Sequence, residues 1–222
     1  MKTSILVIVA ILLVVADYCC IKRHAMFPDY KKIVLKEIIP HGWKQRVCYL
    51  VIATSFLIVV LMLDLFYQVD VIYILKRIFL LAIMWPIAIC DYKEMRIPNR
   101  FILCGVITRV MLLVAEFIVS ADMALAMLIY EGIAVVGVFV LCMLCAVISK
   151  GSLGMGDVKL LMLMALFLGI EGICYSLFVS LVFSFVIASG LLIFKKKSRS
   201  DVIPFAPFIL AGTCVSIILS GV

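Results

Sequence analysis

The chain is a succession of long apolar runs separated by short polar stretches, and that pattern limits what it can become. The runs, about Ser4 to Ile21, Val47 to Tyr67, Val71 to Cys90, Phe101 to Val119, Gly132 to Ile148, Val158 to Ile170, Ile173 to Phe194 and Phe205 to Ser220, are continuous rather than alternating. Continuous runs of this length fit membrane helices, whereas a membrane barrel would alternate apolar and polar residues. With 67% hydrophobic and only 15% charged residues, the chain is far more apolar than a soluble domain. The expected fold is all-α, a polytopic transmembrane bundle of about eight spans.

Charge orders the runs. The polar stretches after the first, third, fifth and seventh runs hold 7, 3, 2 and 4 basic residues, 16 of the 20 Lys and Arg. Those after the second, fourth and sixth, counted with the adjoining run ends, hold Asp64, Asp70, Glu116, Asp122, Glu131 and Glu171, and no basic residue. Lys and Arg concentrate in cytoplasmic loops. The basic stretches are therefore assigned to the cytoplasm and both chain ends to the outside. The net charge of +7 then reflects topology, with anionic membrane lipids as the contact and no nucleic acid. The segment Lys22 to Arg46 carries seven basic residues, which favours a retained first helix over a cleaved signal peptide.

Three basic residues sit well inside runs, away from their cytoplasmic ends. Lys76 and Arg77 are expected to extend outwards or to pair with Asp70. Arg109 lies near the middle of its run, where a charge must face the bundle and meet a carboxylate. Glu116, Glu131 and Asp157 are the options, and a structural ion pair is favoured over a catalytic role. Six of the nine cysteines (Cys90, Cys104, Cys142, Cys145, Cys174, Cys214) lie in apolar runs and read as small hydrophobes. Cys142 and Cys145 have CxxC spacing but no second pair, so no metal site is expected.

Two aspartates remain. Asp91 closes the third run ahead of Ile97-Pro98-Asn99-Arg100; Pro98 forces the chain out of the preceding helix, and Asn99 is placed as N-cap of the next. Asp157 follows Gly151-Ser152-Leu153-Gly154-Met155-Gly156, whose glycines permit close backbone approach. The run behind Asp157, Val158 to Ile170, amounts to about 20 Å of helix at 1.5 Å per residue, short of the ~30 Å hydrocarbon core. Asp157 is therefore expected some way below the cytoplasmic surface, in a hydrated site. Both aspartates fall on the cytoplasmic side. They could form a paired site, or each could be a solvated loop residue.

Asp91 with Pro98-Asn99, followed by Gly154-x-Gly156-Asp157-Val158-Lys159-Leu160, resembles the prepilin peptidase (type IV leader peptidase) family of GxGD aspartic proteases. Ile203-Pro204-Phe205-Ala206-Pro207-Phe208 resembles a late family segment that has glycine where this chain has Ala206. The similarity spans roughly Trp85 to Gly212, so the chain divides into N-terminal helices with a basic loop (1–84; loop 22–46) and a catalytic membrane core (85–222). The resemblance implies an aspartic endopeptidase of the cytoplasmic membrane that removes a short basic leader from pilin-like precursors, in pilus assembly or protein secretion. It implies Asp91 and Asp157 as the catalytic pair and no cofactor, with Gly154, Gly156, Lys159, Pro98 and Asn99 shaping the site. Lys22 to Arg46 lacks the two CxxC pairs of longer members, so no structural zinc is expected, and the compact form is the closer match. A presenilin-like intramembrane protease and a proton- or cation-coupled carrier are the rival readings.

Overall fold

The computed structural model describes residues 6–14, 53–148, 154–193 and 204–221; the basic segments 22–46 and 195–199 lie outside them. Every regular element among the described residues is helical. In chain order these are α1 (6–14), α2 (Ala53–Phe66), α3 (Val71–Glu94), α4 (Asn99–Val119), α5 (Ala121–Ile148), α6 (Met155–Ile193) and α7 (Ala206–Ser220). Helices α3, α4, α5 and α6 are long and apolar enough to cross a membrane. Large side chains such as Met111, Ile118, Val136, Phe178 and Phe185 are exposed on them. Such faces suit lipid, because in a bilayer it is the backbone, not the apolar side chain, that must be shielded.

The chain divides into two compact units, Met1–Ile78 and Phe79–Val222. In the first, Leu6, Phe56, Val59, Leu63 and Ile74 are buried. Helix α2 ends in a wider π-type turn, Met62–Phe66. Of the two expectations for Lys76 and Arg77, extension outwards is not met: both are buried. The Arg77 guanidinium lies 4.2 Å from the centre of the Tyr73 ring and donates to the Tyr73 hydroxyl at 2.6 Å. A cation over an aromatic face is a stable way to bury a guanidinium one turn along a helix.

In the second unit α6 is central, packing on α4, α5 and α7. A straight helix of its 39 residues would measure about 58 Å, twice the hydrocarbon thickness. It is instead broken at Gly169 (φ 70°, ψ −171°), a conformation open to glycine and strained for other residues. The two arms, 155–168 and 170–193, correspond to the sixth and seventh apolar runs, with the break just ahead of Glu171. Breaking a helix strips backbone groups of their partners, and here side chains replace them. The Leu166 carbonyl accepts from Arg109 Nε at 3.2 Å, and the Glu171 N–H donates to the Tyr130 hydroxyl at 3.4 Å. The Tyr130 ring also fills the space a side chain at position 169 would need.

Arg109 is thus the junction of three helices. From α4 it reaches Glu116 on its own helix (Nη2 to Oε2, 3.1 Å), Glu131 on α5 (Nε to Oε2, 3.1 Å) and the broken backbone of α6. All three ionisable groups are buried. The expected ion pair is present, with Glu116 and Glu131 as its acids. The acidic connection expected between the fourth and fifth runs shrinks to Ser120, and residues from Ala121 onwards are helical. Glu116 and Glu131 are therefore not loop acids: the charge on Arg109 draws them into the bundle.

Helices α6 and α7 meet through small residues. A Cβ on Gly212 would lie 2.6 Å from the Ser180 backbone nitrogen, so the two backbones approach as only glycine allows. Ser176, Ser180, Thr213 and Ser216 are buried along this seam, with Thr213 Oγ1 donating to the Ile209 carbonyl at 2.8 Å.

Candidate active site

Asp91 lies in the last turn of α3. That helix ends at Glu94, and the left-handed Met95 just past it (φ 51°) still closes its N–H on the Asp91 carbonyl at 2.9 Å. A left-handed residue just past the end is a common way to stop a helix, and methionine carries strain there that glycine would avoid. Pro98, extended at φ −68° and ψ 125°, is the N-cap of α4. Asn99 is the first helical residue and not the cap the sequence suggested, because Pro98 already supplies the extended backbone that a cap position requires. The side chain of Asn99 is thereby free for another partner.

Asp157 occupies the first turn of α6. Its N–H, and that of Val158, return to the Gly154 carbonyl at 3.1 and 3.3 Å. Both flanking glycines have a steric reason. A Cβ on Gly156 would stand 3.1 Å from Ile97 Cβ, and one on Gly154 would stand 3.0 Å from Asp157 Oδ2. The first lets α6 start against the α3–α4 turn, and the second leaves room for the Asp157 carboxylate. Across the same junction Lys159 Nζ donates to Asn99 Oδ1 at 2.9 Å. Two segments about 60 residues apart in sequence are thus held together by a glycine contact and one hydrogen bond.

Between them is a cleft of about 310 Å³. Asp91, Met95, Arg96, Ile97 and Asn99 line it from one side; Gly154, Gly156, Asp157 and Lys159 line it from the other. Asp91 is 6% exposed, Asp157 is half-buried, and Arg96, Asn99 and Lys159 are exposed. The two carboxylates are within electrostatic reach of each other. Two carboxyl groups facing one cleft can divide the roles of base and acid toward a bound water and a polarised carbonyl. Among the described residues no group of three or more His, Cys, Asp or Glu could hold a metal ion.

Of the residues singled out from sequence, Asp91, Asn99, Gly154, Gly156, Asp157 and Lys159 line this cleft, and Pro98 sets the turn beneath it. One contact had no counterpart in that selection. Asp91 Oδ2 accepts a hydrogen bond of 2.9 Å from the backbone N–H of Ala206, 115 residues away at the start of α7. The Pro204–Phe208 segment was the available signal, but nothing in it pointed to Asp91.

The model of the type IV leader peptidase family matches residues 78–191, slightly more than half of the chain, and takes in both aspartates. The Ala206 segment lies beyond the matched residues. No curated protein and no solved structure matches the chain.

Proposed function

The chain belongs to the type IV leader peptidase family, a membrane-bound family of peptidases, and on that basis we propose that it is an aspartic endopeptidase of the GxGD type. Asp91 and Asp157 are its catalytic pair. The observation that carries this reading is the cleft shared by the two carboxylates, each at a helix end beside a turn that Pro98 or the closely packed Gly154 and Gly156 shape.

Two carboxylates in one cleft can divide a proton between them, one charged and one protonated. The charged member takes a proton from water as that water attacks the scissile carbonyl. The protonated member donates a hydrogen bond to the carbonyl oxygen and later a proton to the leaving amine. Gly154 and Gly156 keep the cleft open to an extended substrate strand, and Lys159 with Asn99 holds its two walls in register.

The proposed substrate is a pilin-like precursor whose apolar helix lies in the bilayer and whose short basic leader lies in the cytoplasm. The proposed topology has about eight spans in the inner (cytoplasmic) membrane, with residues 85–222 as the catalytic core. The acids Asp64, Asp70, Asp122 and Glu171 mark the outer side and the basic stretches the inner. Co-expression with a candidate precursor tests the pair: Asp91→Asn and Asp157→Asn should each abolish leader removal while the protein stays in the membrane. Normal processing by either variant overturns the assignment.

A further inference from the structure

The first turn of α7 sends one backbone donor to a side chain of another helix. A helix start leaves several backbone N–H groups without intrahelical partners, and a side chain at the N-cap usually takes one. Here the N-cap is Phe205, which makes no side-chain cap hydrogen bond. Pro207 has no N–H to offer. The amides of Phe208 and Ile209 both turn back to the Phe205 carbonyl, at 3.0 and 3.1 Å. That leaves the Ala206 amide as the donor directed out of the turn, and it meets Asp91 Oδ2 at 2.9 Å in a buried setting. The helix carrying it is held close to the second arm of α6 at Gly212 and Ser180.

We infer that the backbone amide of Ala206 is a positioning group for Asp91, fixing the carboxylate so that Oδ2 is engaged and Oδ1 serves the cleft. This rests on Asp91 being half of the catalytic pair. A carboxylate on a terminal side-chain bond rotates freely unless something holds it, because that torsion is broad. A donor from a rigid backbone holds it without adding a titratable group to the site. A charge-assisted hydrogen bond of this kind is about twice as strong as a neutral one. The alternative is that the contact merely caps α7, in which case it matters for stability and not for turnover.

An ester at the Phe205–Ala206 linkage separates the two. Lactic acid encoded at position 206 by a suppressor tRNA removes the N–H and keeps the methyl group. Proline would delete the same donor, but it disfavours the helical backbone of Phe205 (φ −93°, ψ −33°) and would disturb the turn itself. Ala206→Gly keeps the N–H and serves as the control. Each full-length protein is assayed in nanodiscs on a synthetic precursor with a short basic leader and an apolar helix, and its thermal unfolding is recorded.

The expected result is a kcat for the ester lowered at least about tenfold with KM changed less than about twofold, and a glycine variant that keeps the N–H and loses clearly less than the ester. An ester with wild-type kcat overturns the inference, whether or not it melts earlier, and leaves the catalytic pair standing provided Asp91→Asn is inactive. A glycine variant as impaired as the ester also overturns it, since the methyl group and not the N–H would then matter. Full activity of Asp91→Asn on the same precursor removes the premise and the inference with it.

Discussion

The second unit contains two clusters of charged side chains that are alike in composition and opposite in design. One is Asp91 and Asp157 at the cleft; the other is Arg109 with Glu116 and Glu131 inside the helices. Counting along α4, Arg109 lies ten residues beyond Asn99, about 15 Å deeper than the cleft wall. In the inner cluster a guanidinium bridges both carboxylates and every group is buried. At the cleft the two aspartates line one open space, and the nearby cations, Arg96 and Lys159, are exposed at its walls. A carboxylate bridged to a buried arginine is tied to one partner and locks helices together. A carboxylate paired with its like can exchange a proton, which is what acid–base chemistry requires.

The comparison breaks most sharply on turnover. If the proposed pair is catalytic, Asp91→Asn or Asp157→Asn should cost on the order of a thousandfold or more in cleavage rate, since residues that act as one unit lose their effect together. Neither should lower the unfolding temperature much. A variant that loses activity because it unfolds would show the cleft to be structural after all. Glu131→Gln at the inner cluster should do the reverse, with cleavage per folded molecule retained while stability falls.

The largest stability effect is expected from Arg109→Met. Removing one partner of a buried ionic group leaves the others uncompensated, at about 3–5 kcal/mol, and here it also strips the Leu166 carbonyl of its donor. Denaturant titration in detergent measures this. Combining Arg109→Met with Glu116→Gln and Glu131→Gln should recover part of the loss, and no recovery would contradict the ion-pair account.

Gly169→Ala should destabilise by about 1–3 kcal/mol, because alanine resists the broken backbone and its methyl meets the Tyr130 ring. A companion Tyr130→Ala relieves the clash but not the backbone strain, so the double variant should stay below Tyr130→Ala in stability. The smallest effect is expected at Lys159→Met, which cuts an exposed hydrogen bond to Asn99 worth about 1 kcal/mol. Steady-state kinetics should show a loss of at most about tenfold, without the abolition expected at Asp157 two residues away.

Much of this was legible without coordinates, and the reasons can be named. Arg109 announced its own environment, because a charge amid apolar residues needs a carboxylate, and two of its three candidate partners are the ones it uses. Asp157, the third, was excluded only once α6 was seen to carry it to the cleft. The start of α6 and the α3–α4 turn were legible because glycine and proline act locally on the backbone. Asn99 was misjudged by one position, since Pro98 can occupy a cap site without a capping side chain. The fate of Glu116 and Glu131 was hidden for another reason. Charge counting treats acids near run ends as loop residues, and the pull of a buried arginine appears only when the helices are packed.

By itself, the order of residues determined the membrane class, the positions of the helix ends that carry Asp91 and Asp157, and the need to neutralise Arg109. All three follow from solvation and local backbone stereochemistry, which act on neighbours in sequence. Only the tertiary structure decided that Gly156 seats α6 on Ile97, that Lys159 bridges to Asn99, that Gly169 is the break stitched by Arg109 and Tyr130, and that Ala206 reaches Asp91. Those contacts join residues 39 to 115 positions apart. In an almost uniformly apolar chain, hydrophobicity says that helices pack but not which faces meet; close backbone approach and a few polar bonds make that choice.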